Sequence, residues 1–338
     1  MIKLAIIGAG RHSSLHHGPA IAALKHRLRR AVVVDRNAVA GEKYAQAFKL
    51  DQAYVQIDRM LEIEKPDALI VVTPEQITAT MVRELLPCQL PMLVEKPFGE
   101  NLTQTQQLCD EVQANPQQPA RIMLSMNRRF APVCLKAMQF LKERFTSRPV
   151  QHIRGTMLRH ARFDSNFLPA TGVHVIDTVH MFAGSPAIQV SPQISQLSNA
   201  GIGAVSAQLQ FTNGLTGDLL IHTDCGQLAE QYDIFGSGYR ICVDYFHGLT
   251  VYESDQIVYQ QMYPQAIPIP QREGAITELE AFLDHVESGD LILSPNPNDA
   301  LAAAWVADQL QACALDNRNE LDGTTPSSAK QSSLSTTL

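Results

Sequence analysis

Short apolar runs alternate with helix-patterned segments through the first third of the chain, and this rhythm leaves few folds open. The runs are Lys3–Ile7, Ala31–Val34, Ala68–Val72 and Met92–Val94, with Arg121–Ser125 following. Between them lie the helix-like segments Gly18–His26, Val39–Phe48, Gln76–Leu86 and Thr103–Ala114. Strands that alternate with helices build a parallel sheet with right-handed crossovers. IKLAIIG and ALIVVT are almost continuously apolar, as strands buried on both faces are. The N-terminal part is therefore predicted to be α/β, a doubly wound parallel sheet.

After about Pro119 the rhythm changes. A helix over Pro132–Phe145 leads to a strand over Val150–Leu158, the loop HARFDSNFLPATG and a helix over Val173–Phe182. From Ala187 to Tyr263 polar and apolar residues alternate in runs separated by Thr-Asn-Gly and Gly-Ser-Gly turns, which argues for an antiparallel sheet. Two helices follow, Ala275–Ser288 and Asn298–Leu315, the second with Asn298 as its expected cap. The boundaries read as 1–122 for the first domain, 123–316 for a second α/β domain with a large, open, mostly antiparallel sheet, and 317–338 for a Ser/Thr-rich tail expected to be disordered.

The 338 residues carry a net charge of −7 and no basic stripe, so a nucleic-acid partner is not expected. The cluster Lys25–Arg30 reads as a solvated helix end. No apolar run approaches the roughly 20 residues of a membrane span, and MIKLAIIGAG lacks the cleavage region of a signal peptide. The six cysteines form no C-x-x-C pair and read as reduced thiols of a cytoplasmic protein.

Gly8-Ala9-Gly10-Arg11-His12-Ser13 follows the first strand and precedes a helix. In a dinucleotide-binding turn the first glycine makes the bend and the second lets backbone approach a pyrophosphate. Ser13 fills the third glycine's place. Asp35 ends the second strand, where a carboxylate accepts bonds from ribose hydroxyls and repels a 2′-phosphate, favouring NAD. Arg36 beside it leaves NADP as the alternative. Thr73-Pro74 ends the third apolar run, and the proline stops the strand at the sheet's carboxyl edge, where ligands bind. Glu95-Lys96-Pro97 ends the fourth in the same way. An ammonium there either pairs with a neighbouring glutamate or bonds a substrate hydroxyl and lowers its pKa during hydride removal.

In order along the chain, GAG, TP, VEKPFGEN, MNRRFAP, TGVHVID, GSGYRICVDY and GAITELEAFLDHVESGD resemble the Gfo/Idh/MocA family of oxidoreductases over about residues 1–316. The resemblance implies a Rossmann domain holding NAD(P), an open-sheet domain shaping the substrate site, and a homo-dimer or homo-tetramer. It implies the catalytic pair Lys96 and His174, with Asp177 orienting the histidine or holding substrate. Cofactor contacts are expected from Gly8, Gly10, Arg11, His12, Ser13, Asp35, Arg36, Thr73, Pro74, Glu95 and Lys96. Substrate contacts are expected from Asn127, Arg128, Arg159 and Asp177. At helical spacing His174, Asp177, Thr178 and Met181 share one face, with Val175, Ile176, Val179 and Phe182 opposite. His174 falls in the first turn, where the dipole favours a neutral imidazole. No metal is expected, since His174 and Asp177 have no third ligand at suitable spacing.

The sequence also departs from the family pattern. Ala170 stands where many sugar and inositol dehydrogenases of the family carry an aspartate, with Asp164 the nearest acid. Thr78 and Glu75 replace the residues usual after T-P. RHSSLHHGP places His12, His16 and His17 close together near the glycine turn. The function expected is hydride transfer between nicotinamide and a hydroxyl or carbonyl of a sugar, cyclitol or similar small molecule. A non-catalytic dinucleotide-binding sensor is the alternative, with an NAD-dependent glycosidase a third.

Overall fold

A computed structural model describes residues 1–114, 121–198, 201–264, 267–290 and 293–321. The chain divides into two compact units, Met1–Leu135 with Pro264–Leu301, and Lys136–Tyr263 with Ala302–Leu338.

The first unit is built on six parallel strands: β1 (Ile2–Ile7), β2 (Leu28–Val34), β3 (Gln52–Tyr54), β4 (Ala68–Val71), β5 (Met92–Glu95) and β6 (Ile122–Ser125). Their order across the sheet is β3-β2-β1-β4-β5-β6, so the direction of winding reverses between β1 and β4. Crevices at such a reversal are where open α/β sheets bind ligands. Helices α1 (Arg11–Leu15), α2 (His17–Ala23), α3 (Ala38–Phe48), α4 (Ile57–Glu64), α5 (Glu75–Leu85) and α6 (Leu102–Gln113) supply the crossovers. Asn37 and Asn101 start α3 and α6, their side chains accepting from the backbone N–H of Ala40 and Gln104 at 3.1 and 2.9 Å. Residues of β4, β5 and β6 are buried throughout, as the continuous apolar runs require.

Three details differ from the sequence expectation. The helix expected over Gly18–His26 is α2, which ends at Ala23 and is followed by a 3₁₀ turn over Lys25–Arg27. A separate short helix, α1, precedes it, the two meeting at His16 (φ −121°, ψ −63°), since Pro19 lacks an N–H and its ring clashes with a carbonyl four residues back. Strand β3 went unseen because three residues are too few to show a period. The last helices also belong elsewhere than expected. After α7 (Pro132–Gln139) and the second unit, α9 (Ile269–Arg272) and α10 (Ala275–Ser288) return to the first unit. Leu279, Phe282 and Leu283 of α10 are fully buried in one core with Ile21, Leu24 and Leu28. Burying each such side chain contributes about 1.5–3 kcal/mol. Arg27 pins the same helix from outside, donating to Asp284 at 2.7 Å and Glu287 at 2.6 Å.

The second unit is an eight-stranded sheet: β7 (Val150–Leu158), β8 (Ala187–Ser198), β9 (Gly201–Phe211), β10 (Thr216–His222), β11 (Ala229–Gly236), β12 (Tyr239–Asp244), β13 (Gly248–Glu253) and β14 (Gln256–Met262). The order is β14-β13-β12-β11-β7-β10-β9-β8, with β7 and β10 parallel and every other pair antiparallel. Helix α8 (Val173–Ala183) packs on β7, where Gly155 leaves room: a Cβ there would lie 2.6 Å from Val179 Cγ2. Helix α11 (Pro297–Leu321) starts one residue before Asn298. Asn296 caps it instead, its carboxamide accepting from the N–H of Asn298 at 2.8 Å. The tail expected to be disordered lies, from 322 on, outside the described residues.

Candidate functional site

At the carboxyl ends of β1, β2 and β4 lies a cleft of about 780 Å³ lined by Gly8, Gly10, Asp35, Arg36, Thr73 and Pro74, among others. The strand ladder makes the turn beneath it. Gly8 donates to Val34 O and Val72 to Ile7 O, both at 2.8 Å. Gly8 has φ +111°, and a Cβ on it would sit 2.0 Å from the carbonyl oxygen of Val72. A Cβ on Gly10 would meet nothing within 4 Å, so the space above Gly10 is open to a ligand approaching the backbone. A dinucleotide's pyrophosphate fits there.

Asp35 is fixed by two backbone N–H groups, Ala9 to Oδ2 and Asn37 to Oδ1, each at 2.8 Å. It thus ties the glycine turn to the start of α3 while its remaining lone pairs face the cleft's other lining. Asp58 and Glu84 add two more carboxylates to that lining against the single guanidinium of Arg36. Gln56 and Asp58 were not singled out from the sequence, because they follow the unrecognised β3. Thr73 shares a 2.9 Å hydroxyl–hydroxyl bond with Thr78, which fixes the start of α5.

The Ser13 hydroxyl, expected at the cofactor, is engaged inside the unit. It is fully buried, and its hydroxyl donates to the Tyr44 hydroxyl at 2.8 Å, locking α1 to α3. The Glu95 carboxylate, also expected at the cofactor, is likewise engaged by protein side chains. It is buried, and Oε1 is reached by His12 Nε2 at 2.9 Å, His17 Nε2 at 2.8 Å and Ser125 Oγ at 3.0 Å. Burial pushes its carboxyl up, yet the charges and hydrogen bonds of His12 and His17 outweigh that and hold it well below the usual carboxylate range. His16 is lowered to about 4, first by burial and then by His12, so it is neutral at physiological pH. Lys96 follows β5, half-buried, with its N–H donating to Glu95 Oε2 at 3.1 Å and a cis bond to Pro97. The lysine therefore leaves the sheet at the same edge as the glycine turn.

Asn127 and Arg128 occupy a 3₁₀ turn after β6. Asn127 was expected to touch substrate, but it is buried, donates to Glu273 O at 2.9 Å and accepts from Arg128 Nη1 at 3.0 Å. Gly274 (φ +87°) lies against it so closely that a Cβ would be 2.3 Å from Asn127 O. Arg129 is ion-paired with Asp299 at 3.2 Å.

In the second unit His174 and Asp177 are both buried on α8. The helix is not split into two faces as expected: every residue from Val173 to His180 is buried. His174 is also not in a first turn. A π-helical segment, Leu168–Gly172, runs directly into α8, with Val173 N–H donating to Leu168 O. The orphan N–H groups that create the dipole's positive end lie upstream, so His174 owes its environment to burial instead. His180 is a packed residue, edge-on to Phe211 with ring centroids 6.0 Å apart. Asp164 does not replace the acid missing at Ala170. Arg162 grips both its oxygens at 2.8 and 2.9 Å, and chiefly that bond holds its carboxyl below the usual range, so it carries no proton to give.

Arg159, expected at the substrate, has its guanidinium engaged within the second unit. It is buried, ion-paired with fully buried Glu230 and bonded to the carbonyls of Ala229 and Leu158. Tyr232 donates to the other oxygen of Glu230 at 2.8 Å. Removing one partner strands a buried charge, so Arg159→Ala should lose about 3–5 kcal/mol in urea unfolding. A loss under 1 kcal/mol would mean that the pair is solvated and Arg159 is available to ligands.

Residues 2–120 match a family model described as oxidoreductase family, NAD-binding Rossmann fold. A curated relative, the uncharacterized oxidoreductase C26H5.09c of Schizosaccharomyces pombe, is 25% identical over 198 residues, 55% of this chain and 52% of that protein. The match thus spans about half the length of that relative. Among solved structures, a Gfo/Idh/MocA family oxidoreductase from Vibrio cholerae is similar with a TM-score of 0.78 at 17% identity, covering 95% of this chain and 100% of that one. Levoglucosan dehydrogenase in complex with NADH is similar with a TM-score of 0.76 at 18% identity, covering 93% and 97%. No described helix is long and apolar enough to cross a membrane.

Proposed function

We propose, for a chain whose residues 2–120 match the model of the NAD-binding Rossmann fold of the Gfo/Idh/MocA oxidoreductases, NAD-dependent hydride transfer to or from a hydroxyl-bearing carbon of a sugar, cyclitol or similar polar metabolite. The carrying observation is Lys96, held by Glu95 at the same strand edge as the open Gly8–Gly10 turn. The fold likeness to levoglucosan dehydrogenase with NADH supports a carbohydrate-like substrate.

When bound, nicotinamide supplies the hydride acceptor or donor. The protein's own groups do the rest. In the oxidative direction the Lys96 ammonium bonds the reacting hydroxyl and lowers its pKa, so that the O–H bond breaks as the C–H hydride leaves. His174 takes that proton as the base, and the carbon becomes a carbonyl. Asp177, one turn on, orients the imidazole or holds a second substrate hydroxyl. A homo-dimer or homo-tetramer, and a cytoplasmic site for a chain with six free cysteines, belong to the same reading.

The test is a fluorescence titration with NADH and NADPH, followed by a turnover screen of sugars and polyols. Selective NADH binding with turnover is the expected result. Binding of neither nucleotide would end the proposal, and binding without turnover would favour the sensor. Asp35→Asn loses charge-assisted bonds to the ribose, and each is worth about 1.5–3 kcal/mol. NADH should bind about 10-fold or more weaker, with the gap to NADPH narrowed. An unchanged preference would move the discrimination to Asp58 or Glu84.

A further inference from the structure

The sequence expectation of no metal concerned His174 and Asp177, but a different cluster has the chemistry for one. We propose that His12, His17 and Glu95 bind a divalent transition-metal ion of the zinc class. One ligand atom from each lies within 4.8 Å of the others. The set is two imidazole nitrogens and a carboxylate oxygen, the combination that holds zinc where a further coordination position stays open.

The side chains already converge as ligands of one ion would. Both Nε2 atoms aim at a single oxygen, Glu95 Oε1, at 2.9 and 2.8 Å. They fill its roughly two lone pairs, while the single proton of Ser125 Oγ is shared between that oxygen at 3.0 Å and Glu278 Oε2 at 2.8 Å. Oε2 meanwhile takes the Lys96 N–H at 3.1 Å. With an ion between the three groups, Oε1 gives one lone pair to the metal and one to Ser125. The two Nε2 atoms become donors of electron pairs and need no acceptor.

The spacing is close to what an ion requires. Two ligand atoms each about 2.05 Å from a tetrahedral ion stand about 3.3 Å apart, so the two histidine–Glu95 pairs, now at 2.9 and 2.8 Å, must each open by only about 0.5 Å. A second layer is in place, since Ser125 Oγ sits between the two carboxylates, 3.0 Å from Glu95 Oε1 and 2.8 Å from Glu278 Oε2, with one proton to share between them. His16 packs on His12 with ring centroids 4.6 Å apart. Side-chain exposure is 3% for His17 and 7% for Glu95 but 49% for His12. The ion therefore enters past His12, and water completes its coordination on that side.

The inference stands apart from the hydride-transfer reading, because its test uses neither cofactor nor substrate. Chelator-treated protein is titrated with Co²⁺ alone and followed by visible ligand-field absorption. The expected result is a saturable, intense spectrum of low-coordinate Co²⁺ at one ion per chain, displaced by Zn²⁺. His12→Ala, at a half-exposed position that leaves the fold intact by circular dichroism, should weaken binding by more than about 100-fold, since outer-layer partners alone are worth about 10–100-fold. Glu95→Gln should do the same. No saturable spectrum, or a spectrum that survives His12→Ala unchanged, overturns the proposal.

Discussion

Lys96→Ala is expected to lower kcat/KM by about 10²–10⁴-fold, the range a positioned proton donor or acceptor contributes. NADH affinity should stay within a few-fold. The side chain leaves the sheet after β5, and its backbone N–H is held by Glu95 at 3.1 Å. Truncation at Cβ therefore removes the ammonium without moving the strand. The measurement is single-turnover hydride transfer on the fastest substrate of the panel, beside a nucleotide titration of the same variant. The split between the two readouts carries the information. A loss of turnover with intact nucleotide binding fits an interaction made in the transition state. Parallel losses would make Lys96 a cofactor-binding residue, and turnover within about 3-fold of the parent would remove it from the chemistry.

Gly8→Ala should be the most damaging single methyl in the first unit. The new Cβ would lie 2.0 Å from Val72 O, at a φ of +111°. The clash is with backbone, so no side chain can turn aside. Backbone strain of about 1–3 kcal/mol adds to overpacking of about 1–3 kcal/mol, a large share of a total stability of about 5–15 kcal/mol. Low yield of folded protein, or a urea midpoint shifted by that amount, is expected, with nucleotide binding lost. Gly10→Ala is the control. Its φ is −71° and its Cβ would touch nothing within 4 Å, so stability should hold within about 1 kcal/mol. Its methyl intrudes only on the open space, so NADH binding alone should weaken. If Gly10→Ala destabilised as much as Gly8→Ala, the division of labour between the two glycines would be wrong.

What could be read in advance follows from the range of the interactions. Parallel strands buried on both faces announce themselves locally, and β1, β4 and β5 were legible as unbroken apolar runs. Hairpin turns did the same for β9 to β14. Long-range pairings left no such trace. Arg159 looked like a substrate contact because Glu230, which neutralises it, is 71 residues away. His12 and His17 meet Glu95 across 83 and 78 residues. Periodicity showed that α10 has an apolar face but not that Ile21 and Leu24 lie beneath it. For α8 the pattern misled, since a helix covered on nearly all sides still carries a few polar residues wherever chemistry or capping uses them.

The return of α10 to the first unit has a consequence for synthesis on the ribosome. Met1–Leu135 emerges without Leu279, Phe282 and Leu283, so the cavity beside α2 that they fill stays open to solvent. All of residues 136–263 must be translated before the missing helix appears. At about 5–20 residues per second the nascent sheet waits roughly 6–26 s with that apolar surface exposed. The glycine turn and Asp35 are made early, but the domain that presents them is completed only near the end of translation. A truncated N-terminal fragment is accordingly an aggregation-prone intermediate and no substitute for the domain.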